Sequence, residues 1–407
     1  MNHSNPVDED PSPADPMAPT PRSRRTVLSA GLAAGAAVAG GWTLGSTPRA
    51  HADNARGEER VRARELGIEP GSFPTGTNNA ITDVEGVLVG QTTRNEGEDI
   101  RTGVTVIMPH PGNVFQDKVA GGVHVGNAFG KLAGSTQVQE LGTIETPIVL
   151  TNTLSVGRAL DATVGWTLDQ AGNEEVTSVN ALVGETNDSG LNDIRGRHIT
   201  DEDVLGAIEG AAPGPVEEGS VGAGTGTVAF GWKGGIGTSS RTLPEDGGYT
   251  LGVLVQSNYG GSLTVAGVPV GEELADTAAD RSAGDGSCMM VVATDAPLTA
   301  RDLERLAARA MFGLGRTGSH YTNGSGDFAI AFSTAPQVRV PYGDNSLQER
   351  QVLPASAMSP LFQAALYATE EAVYNSLFMA TTTSGNGQTV EAIPISAVRR
   401  LLRRYGR

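Results

Sequence analysis

The chain has 407 residues, with 29 basic against 46 acidic side chains and a net charge of −17 at pH 7. That balance lacks the basic footprint a nucleic-acid partner requires. One cysteine, Cys288, excludes an intramolecular disulfide framework, and the length fits one large α/β domain once a leader is set aside.

Residues 1–21 are rich in Pro and Asp and show no apolar periodicity. Ser23-Arg24-Arg25-Thr26-Val27-Leu28 follows, then a small-residue apolar stretch from Ala30 to Gly41, then Ala50-His51-Ala52. Paired arginines, a weakly hydrophobic run and a small-x-small ending read as a twin-arginine export signal over 1–52. The run is too short and too rich in Gly and Ala for a membrane anchor. The expected address is extracytoplasmic or secreted. The leader's four arginines and four acids cancel, so the mature chain keeps its charge.

Past the leader, short apolar runs bounded by turn residues predict strands at Gly86–Gly90, Val104–Met108, Pro147–Leu150 and Leu251–Val255. A further apolar run follows Ser287, and another is Phe328–Phe332. Thr299 and Asp302 form a capping pattern ahead of Leu303, Leu306, Ala310 and Leu314, which predicts a helix ending at Gly315. Two more helices are expected from about Ser359 to Met379 and from Ile395 to Tyr405. The last carries Arg399, Arg400, Arg403 and Arg404, a membrane or partner face or, more simply, the solvated side of a terminal helix. Strands and helices mixed without a strict βαβ rhythm predict layered sheets flanked by helices.

The chemistry-bearing signal is Gly286-Ser287, opening the run Cys288-Met289-Met290-Val291-Val292-Ala293. Gly-Ser is a common loop pair. It is also the junction a self-cleaving serine would use, because Gly leaves the carbonyl unshielded and accepts a distorted backbone. A cut there frees an α-amine beside the hydroxyl, and with a reference pKa of about 7.7–8.0 that amine can act as the base. Cys288 alternates to the opposite face and reads as core.

Gly-x-Ser-x-Gly and His-Glu-x-x-His motifs are missing. His110, His124, His198 and His320 have no metal-ligand spacing, and His320 reads as a surface residue before it reads as a base. No metal or cofactor is expected. Gly224-Thr225-Gly226-Thr227-Val228-Ala229 fits a dinucleotide fingerprint formally, but Phe230–Gly237 cannot open the helix a pyrophosphate needs. A glycine-lined strand pair or pocket wall accounts for it better. Asn323-Gly324-Ser325-Gly326-Asp327 is a turn ahead of a strand or, with Ser325 and Asp327 two apart, part of a site. Asn258, at a strand end, stabilises an oxyanion or caps a turn. Glu185, after an apolar run, holds a substrate amine or is a loop acid.

Taken in order, these blocks resemble one family. Gly286–Leu298, Phe312–Ser319 and Asn323–Asp327 carry the likeness most specifically, with Asn79–Val84, Arg101–Thr105, Thr151–Thr153, Gly222–Gly226, Lys233–Gly237, Leu254–Asn258, Pro360–Ala364 and Thr389–Ala392 supporting it. The chain is similar to the DmpA/BapA family, the P1-type L-aminopeptidase/D-esterases and β-peptidyl aminopeptidases. The resemblance implies a four-layer αββα sandwich, similar to N-terminal-nucleophile hydrolases with different connectivity. It implies self-cleavage between Gly286 and Ser287, giving a large subunit over 53–286 and a small one over 287–407, assembled into a homo-oligomer. Carried over by motif, Ser287 is the nucleophile, Ser325 and Asp327 orient it and relay its proton, Asn258 belongs to the oxyanion hole, and Glu185 anchors the substrate's free amine. Some relatives have a tyrosine where this chain has Asn187, and some have Glu where it has Asp327. The implied substrate is a small peptide, amide or ester with a free amine. Within that scaffold, β-peptides, D-amino-acid amides or esters and acyl transfer stand as alternatives to α-peptides; a non-catalytic secreted binding protein is the reading from outside it. No membrane partner is implied once the leader is gone.

Overall fold

The computed structural model describes residues 57–275 and 286–407; the leader read over 1–52 lies outside them. In chain order the first strands are β1 (Leu88–Glu96), β2 (Ile100–Met108), β3 (Asp117–Ala128), β4 (Leu132–Ala133), β5 (Thr143–Ile144), β6 (Ile148–Asn152) and β7 (Leu182–Thr186). Next come β8 (Val228–Ala229), β9 (Trp232–Lys233), β10 (Gly235–Leu243), β11 (Tyr249–Asn258), β12 (Ser287–Thr294) and β13 (Gly326–Ser333). The last three are short: β14 (Val340–Pro341), β15 (Thr383–Gly385) and β16 (Gln388–Val390). The helices are α1 (Ser135–Leu141), α2 (Val156–Leu168), α3 (Asp201–Glu209), α4 (Val270–Glu273), α5 (Ala300–Arg316), α6 (Ser359–Phe378) and α7 (Ile395–Arg404). No described helix is long and apolar enough to cross a membrane.

One sheet has the order β1-β2-β6-β7-β4; the other runs β10-β11-β12-β13-β3-β14, with β5 alongside β3. Alternation along β12 shows how they stack. Met289, Val291 and Ala293 pack with Ile107, Leu150 and Leu182 of the first sheet. Cys288, Met290 and Val292 face the other way, toward Leu303 and Leu306 of α5 and Leu361 and Val373 of α6. Beyond the first sheet, Val104, Val106, Val149 and Val183 pack with Ala159 of α2 and Val204 of α3. The result is helix, sheet, sheet, helix, the αββα sandwich expected from the sequence. A strand covered on both faces reads as a continuous apolar run, as β12 does, with every residue buried.

Local signals set the helix ends well. Thr299 Oγ1 accepts the Asp302 amide at 3.2 Å at the start of α5, and Leu303, Leu306, Ala310 and Leu314 are fully buried. The four arginines of α7 are exposed, and Arg404 pairs with Glu273. Strand extents were less legible. The run predicted at Gly86–Gly90 continues as β1 to Glu96 because β2 pairs with it residue for residue out to Glu96↔Ile100. A hairpin partner, not apolar spacing, decides where that strand stops.

Candidate active site

Two close approaches bring polar strand ends together. Met289 of β12 lies against Gly184 of β7, where an added Cβ would stand 2.3 Å from its Cε. Gln256 of β11 crosses between the sheets, its Nε2 donating to Thr186 Oγ1 at 2.9 Å and Ala223 O at 2.9 Å. β12 and β11 thus meet β7 at one end of the sandwich. A cleft of about 630 Å³ opens there, lined among others by Ser287, Gly286, Asn258, Glu185 and Asn187.

Ser287 begins β12, opposite Asn258 of β11 and beside Gly326 of β13. Its Oγ accepts the Gly326 amide at 3.2 Å, which fixes the oxygen and leaves the hydroxyl proton for a base. Gly286 is confined more tightly. A Cβ there would stand 2.1 Å from Asn258 O and 2.7 Å from Tyr259 Cα. Only glycine lets β11 run this close to the 286–287 peptide bond.

Asn258 Oδ1 accepts the Val228 amide at 2.9 Å, and its Nδ2 donates to Asn187 O at 3.0 Å. These partners assign the amide's orientation and leave one Nδ2 proton unspent. Asn187 acts here through its main chain. Its side-chain Oδ1 turns back to accept the Ser189 amide at 3.0 Å, a local Asx turn.

Ser325 and Asp327 come together as their spacing predicts. The Ser325 hydroxyl donates to Asp327 Oδ2 at 2.8 Å. Burial pushes the Asp327 carboxyl up to about 6, with the Ser325 hydroxyl and the Cys288 amide pulling it down. Its Oδ1 is buried without a well-aimed donor. The parallel register sets Asp327 beside Cys288, one residue beyond Ser287. Among the described residues no hydrogen bond runs from Ser325 or Asp327 to Ser287. The link is the Gly326 amide between them. Cys288 is fully buried, and burial drives its thiol well above the ordinary range, the inert core role expected for it. His320 is exposed and does not line the cleft.

Glu185 ends up 3% exposed on β7. Its Oε1 accepts the Lys131 amide at 2.9 Å and faces Lys131 Nζ at 3.4 Å. Lys131 was not singled out in the sequence; it follows β3 in Phe129-Gly130-Lys131, and its Nζ also donates to Thr153 Oγ1 at 2.5 Å. Phe230 lies in the stretch read as a strand pair or pocket wall. With Gly231 it turns β8 into β9, at φ of 55° and 82°, the left-handed pair a tight hairpin of this kind requires. The Phe230 amide donates to Tyr259 O at 2.8 Å and the two rings meet edge-on at 4.9 Å. The glycine-rich stretch read as a pocket wall is one: Gly226, Val228, Phe230 and Gly231 line the cleft. Below it the buried Lys233 Nζ donates to Gly224 O and Gly234 O, both at 2.8 Å.

Comparison with known proteins identifies the family. The profile of peptidase family S58 matches residues 79–390. The chain is 43% identical over 375 residues to the β-peptidyl aminopeptidase BapA of Sphingosinicella microcystinivorans, covering 86% of this chain and 93% of that protein. It is 40% identical to the BapA of Sphingosinicella xenopeptidilytica, covering 84% and 91%. Among solved structures, the L-aminopeptidase D-Ala-esterase/amidase of Ochrobactrum anthropi superposes with a TM-score of 0.80 at 40% identity, over 85% of this chain and 99% of that one. That enzyme is described as a prototype for the serine aminopeptidases and a new variant among the Ntn hydrolase fold. Matched over most of its length by profile, sequence and fold alike, the chain belongs to peptidase family S58, a family of aminopeptidases.

Proposed function

We propose that this protein is an exported, self-processing serine aminopeptidase that removes an N-terminal β-amino acyl group from short peptides, amides or esters. The observation that carries the reading is the meeting of Ser287, Asn258 and Glu185 in one cleft, with Gly286 held against β11. The names of the BapA relatives supply the β-amino acyl preference.

In maturation, Ser287 Oγ attacks the Gly286 carbonyl carbon and the C–N bond breaks. The nitrogen takes up the hydroxyl's proton, and water hydrolyses the resulting ester. The chain divides into 53–286 and 287–407 once the leader is gone. In turnover, the new α-amine of Ser287 takes the hydroxyl proton as Oγ attacks the substrate carbonyl. The free Nδ2 proton of Asn258 meets the developing oxyanion. Glu185 receives the substrate ammonium. Ser325 and Asp327 hold the Gly326 segment, whose amide orients the nucleophile. The leaving amine departs with a proton, and water releases the acyl group as its acid. Cleaved pairs associate into a homo-oligomer.

Intact-mass analysis and p-nitroanilide hydrolysis test this together. The wild type should divide between 286 and 287 and hydrolyse β-alanyl p-nitroanilide, whereas Ser287→Ala should stay whole and inactive. A divided or active Ser287→Ala protein overturns the proposal.

A further inference from the structure

Two charged side chains line the cleft among the described residues, Glu185 and Lys131. All other described lining groups are neutral. The amine anchor is therefore already accompanied by a cation. Both Lys131 contacts fall on Glu185 Oε1, and Oε2 accepts from no described residue. Lys131 is half exposed, at 52% of its side chain. Its ammonium has three protons: one reaches Thr153 Oγ1, one faces Glu185, and the third is free toward the cleft. A substrate bringing only an ammonium would set a second cation beside the first, against a single carboxylate. Like charges placed that close oppose each other. A substrate bringing an ammonium and a carboxylate on one carbon would complete an alternating set, its ammonium on Glu185 Oε2 and its carboxylate on Lys131 Nζ.

We propose that the cleft is built for β-aspartyl amides and peptides, and that Lys131 is the residue that selects them by pairing with the carboxylate beside the substrate's amine. This rests on the aminopeptidase reading above and names its substrate class. A β-aspartyl unit is a β-amino acyl group: the amine lies two carbons from the scissile carbonyl, and the α-carboxylate sits on the amine-bearing carbon. Ser287 Oγ bonds to the side-chain carbonyl carbon, the C–N bond to the leaving amine breaks, and that amine departs protonated. Water then cleaves the ester, releasing free aspartate and restoring the hydroxyl.

The test compares four substrates on the mature protein: β-aspartyl p-nitroanilide, its α-carboxamide analogue, β-alanyl p-nitroanilide and γ-glutamyl p-nitroanilide. Charge-assisted pairing of a partly buried carboxylate predicts a kcat/KM advantage of about tenfold or more for β-aspartyl over its carboxamide. Lys131→Met should erase that advantage and raise the rate on β-alanyl substrate, and Lys131→Arg should keep most of it. Equal rates on acid and carboxamide in the wild type overturn the proposal, as does an advantage that survives in a folded Lys131→Met. γ-Glutamyl turnover matching or exceeding β-aspartyl overturns the β spacing. If β-alanyl p-nitroanilide is hydrolysed without any carboxylate preference, only this proposal fails. If none of the four is hydrolysed, the aminopeptidase reading fails with it.

Discussion

Two lysines share the pocket end of the molecule and have opposite surroundings. Lys131 stands in the cleft mouth beside Glu185, half exposed and with a proton to offer. Lys233 lies beneath the glycine-rich wall, fully buried, with two main-chain carbonyls as acceptors and Asp188 as its electrostatic partner. Glu185 and Asp188 are only three residues apart in the chain. Burial pushes the Lys233 ammonium down and the Asp188 carboxyl up, each to about 7. The exposed Lys131, beside a buried Glu185, is free to exchange partners and so can read a ligand. The dry pair cannot release Gly234 O without leaving it unsatisfied, and Gly224 O would keep only Thr227, so it holds the wall that carries Val228 and, through Val228, orients Asn258.

That contrast is broken most directly at Lys233. Lys233→Met strips the donor from the buried Gly234 O and leaves Gly224 O with Thr227 alone, so unfolding free energy should fall by about 1–3 kcal/mol, the cost of one orphaned carbonyl. Denaturant unfolding reads this, and a stable, fully active variant would show that the buried lysine is dispensable.

Asn258→Ala asks how much of that wall's rigidity reaches the chemistry. Loss of one oxyanion donor should lower kcat by about 10²–10³ with KM little changed. A KM-dominated effect would move Asn258 from the oxyanion to ground-state binding.

Asp327 offers a buried carboxylate with no ion-pair partner among the described residues. Its folded pKa of about 6 lies above the roughly 3.9 of an unfolded Asp. The folded state therefore holds the proton longer, and the resulting stability is full below about pH 4 and declines as pH rises toward 6. Asp327→Asn removes that decline. It should gain about 1–3 kcal/mol over wild type at pH 7.5 and almost nothing at pH 4. Melting at the two pH values checks it, and an equal gain at both would refute a titrating Asp327. In the active wild type, ionisation of the same carboxyl predicts a kcat that rises with pH through about 6.

The smallest expected effect closes the comparison. Lys131→Met should cost less stability than Lys233→Met, because Glu185 Oε1 keeps the Lys131 main-chain amide as a donor. A loss as large as that of Lys233→Met would make the cleft lysine structural too.

The site was partly written in the sequence. Ser287, Asn258 and Glu185 stood at strand ends, and strands carry their terminal residues to a sheet edge wherever they pair. Ser325 and Asp327 were legible from a spacing of two. Lys131 was not, because it reaches the cleft from a turn whose direction depends on a neighbour distant in the chain, Ser325 O holding the Phe129 amide. Asn187 was legible as a member of the site, but its use of a carbonyl in place of its side chain was not, because the Asx turn and the Asn258 contact form only in the folded loop.

By itself the sequence determined the apolar runs, the cap at Thr299, the helical stripe behind it and the Gly–Ser junction, because propensity and periodicity act over a few neighbouring residues. Tertiary structure alone decided where β1 ends, which strand lies beside β12, and which carboxylate keeps a lysine in water and which lies near one in the core. Pairing register and desolvation are properties of chain segments brought together from far apart, and no local pattern encodes them.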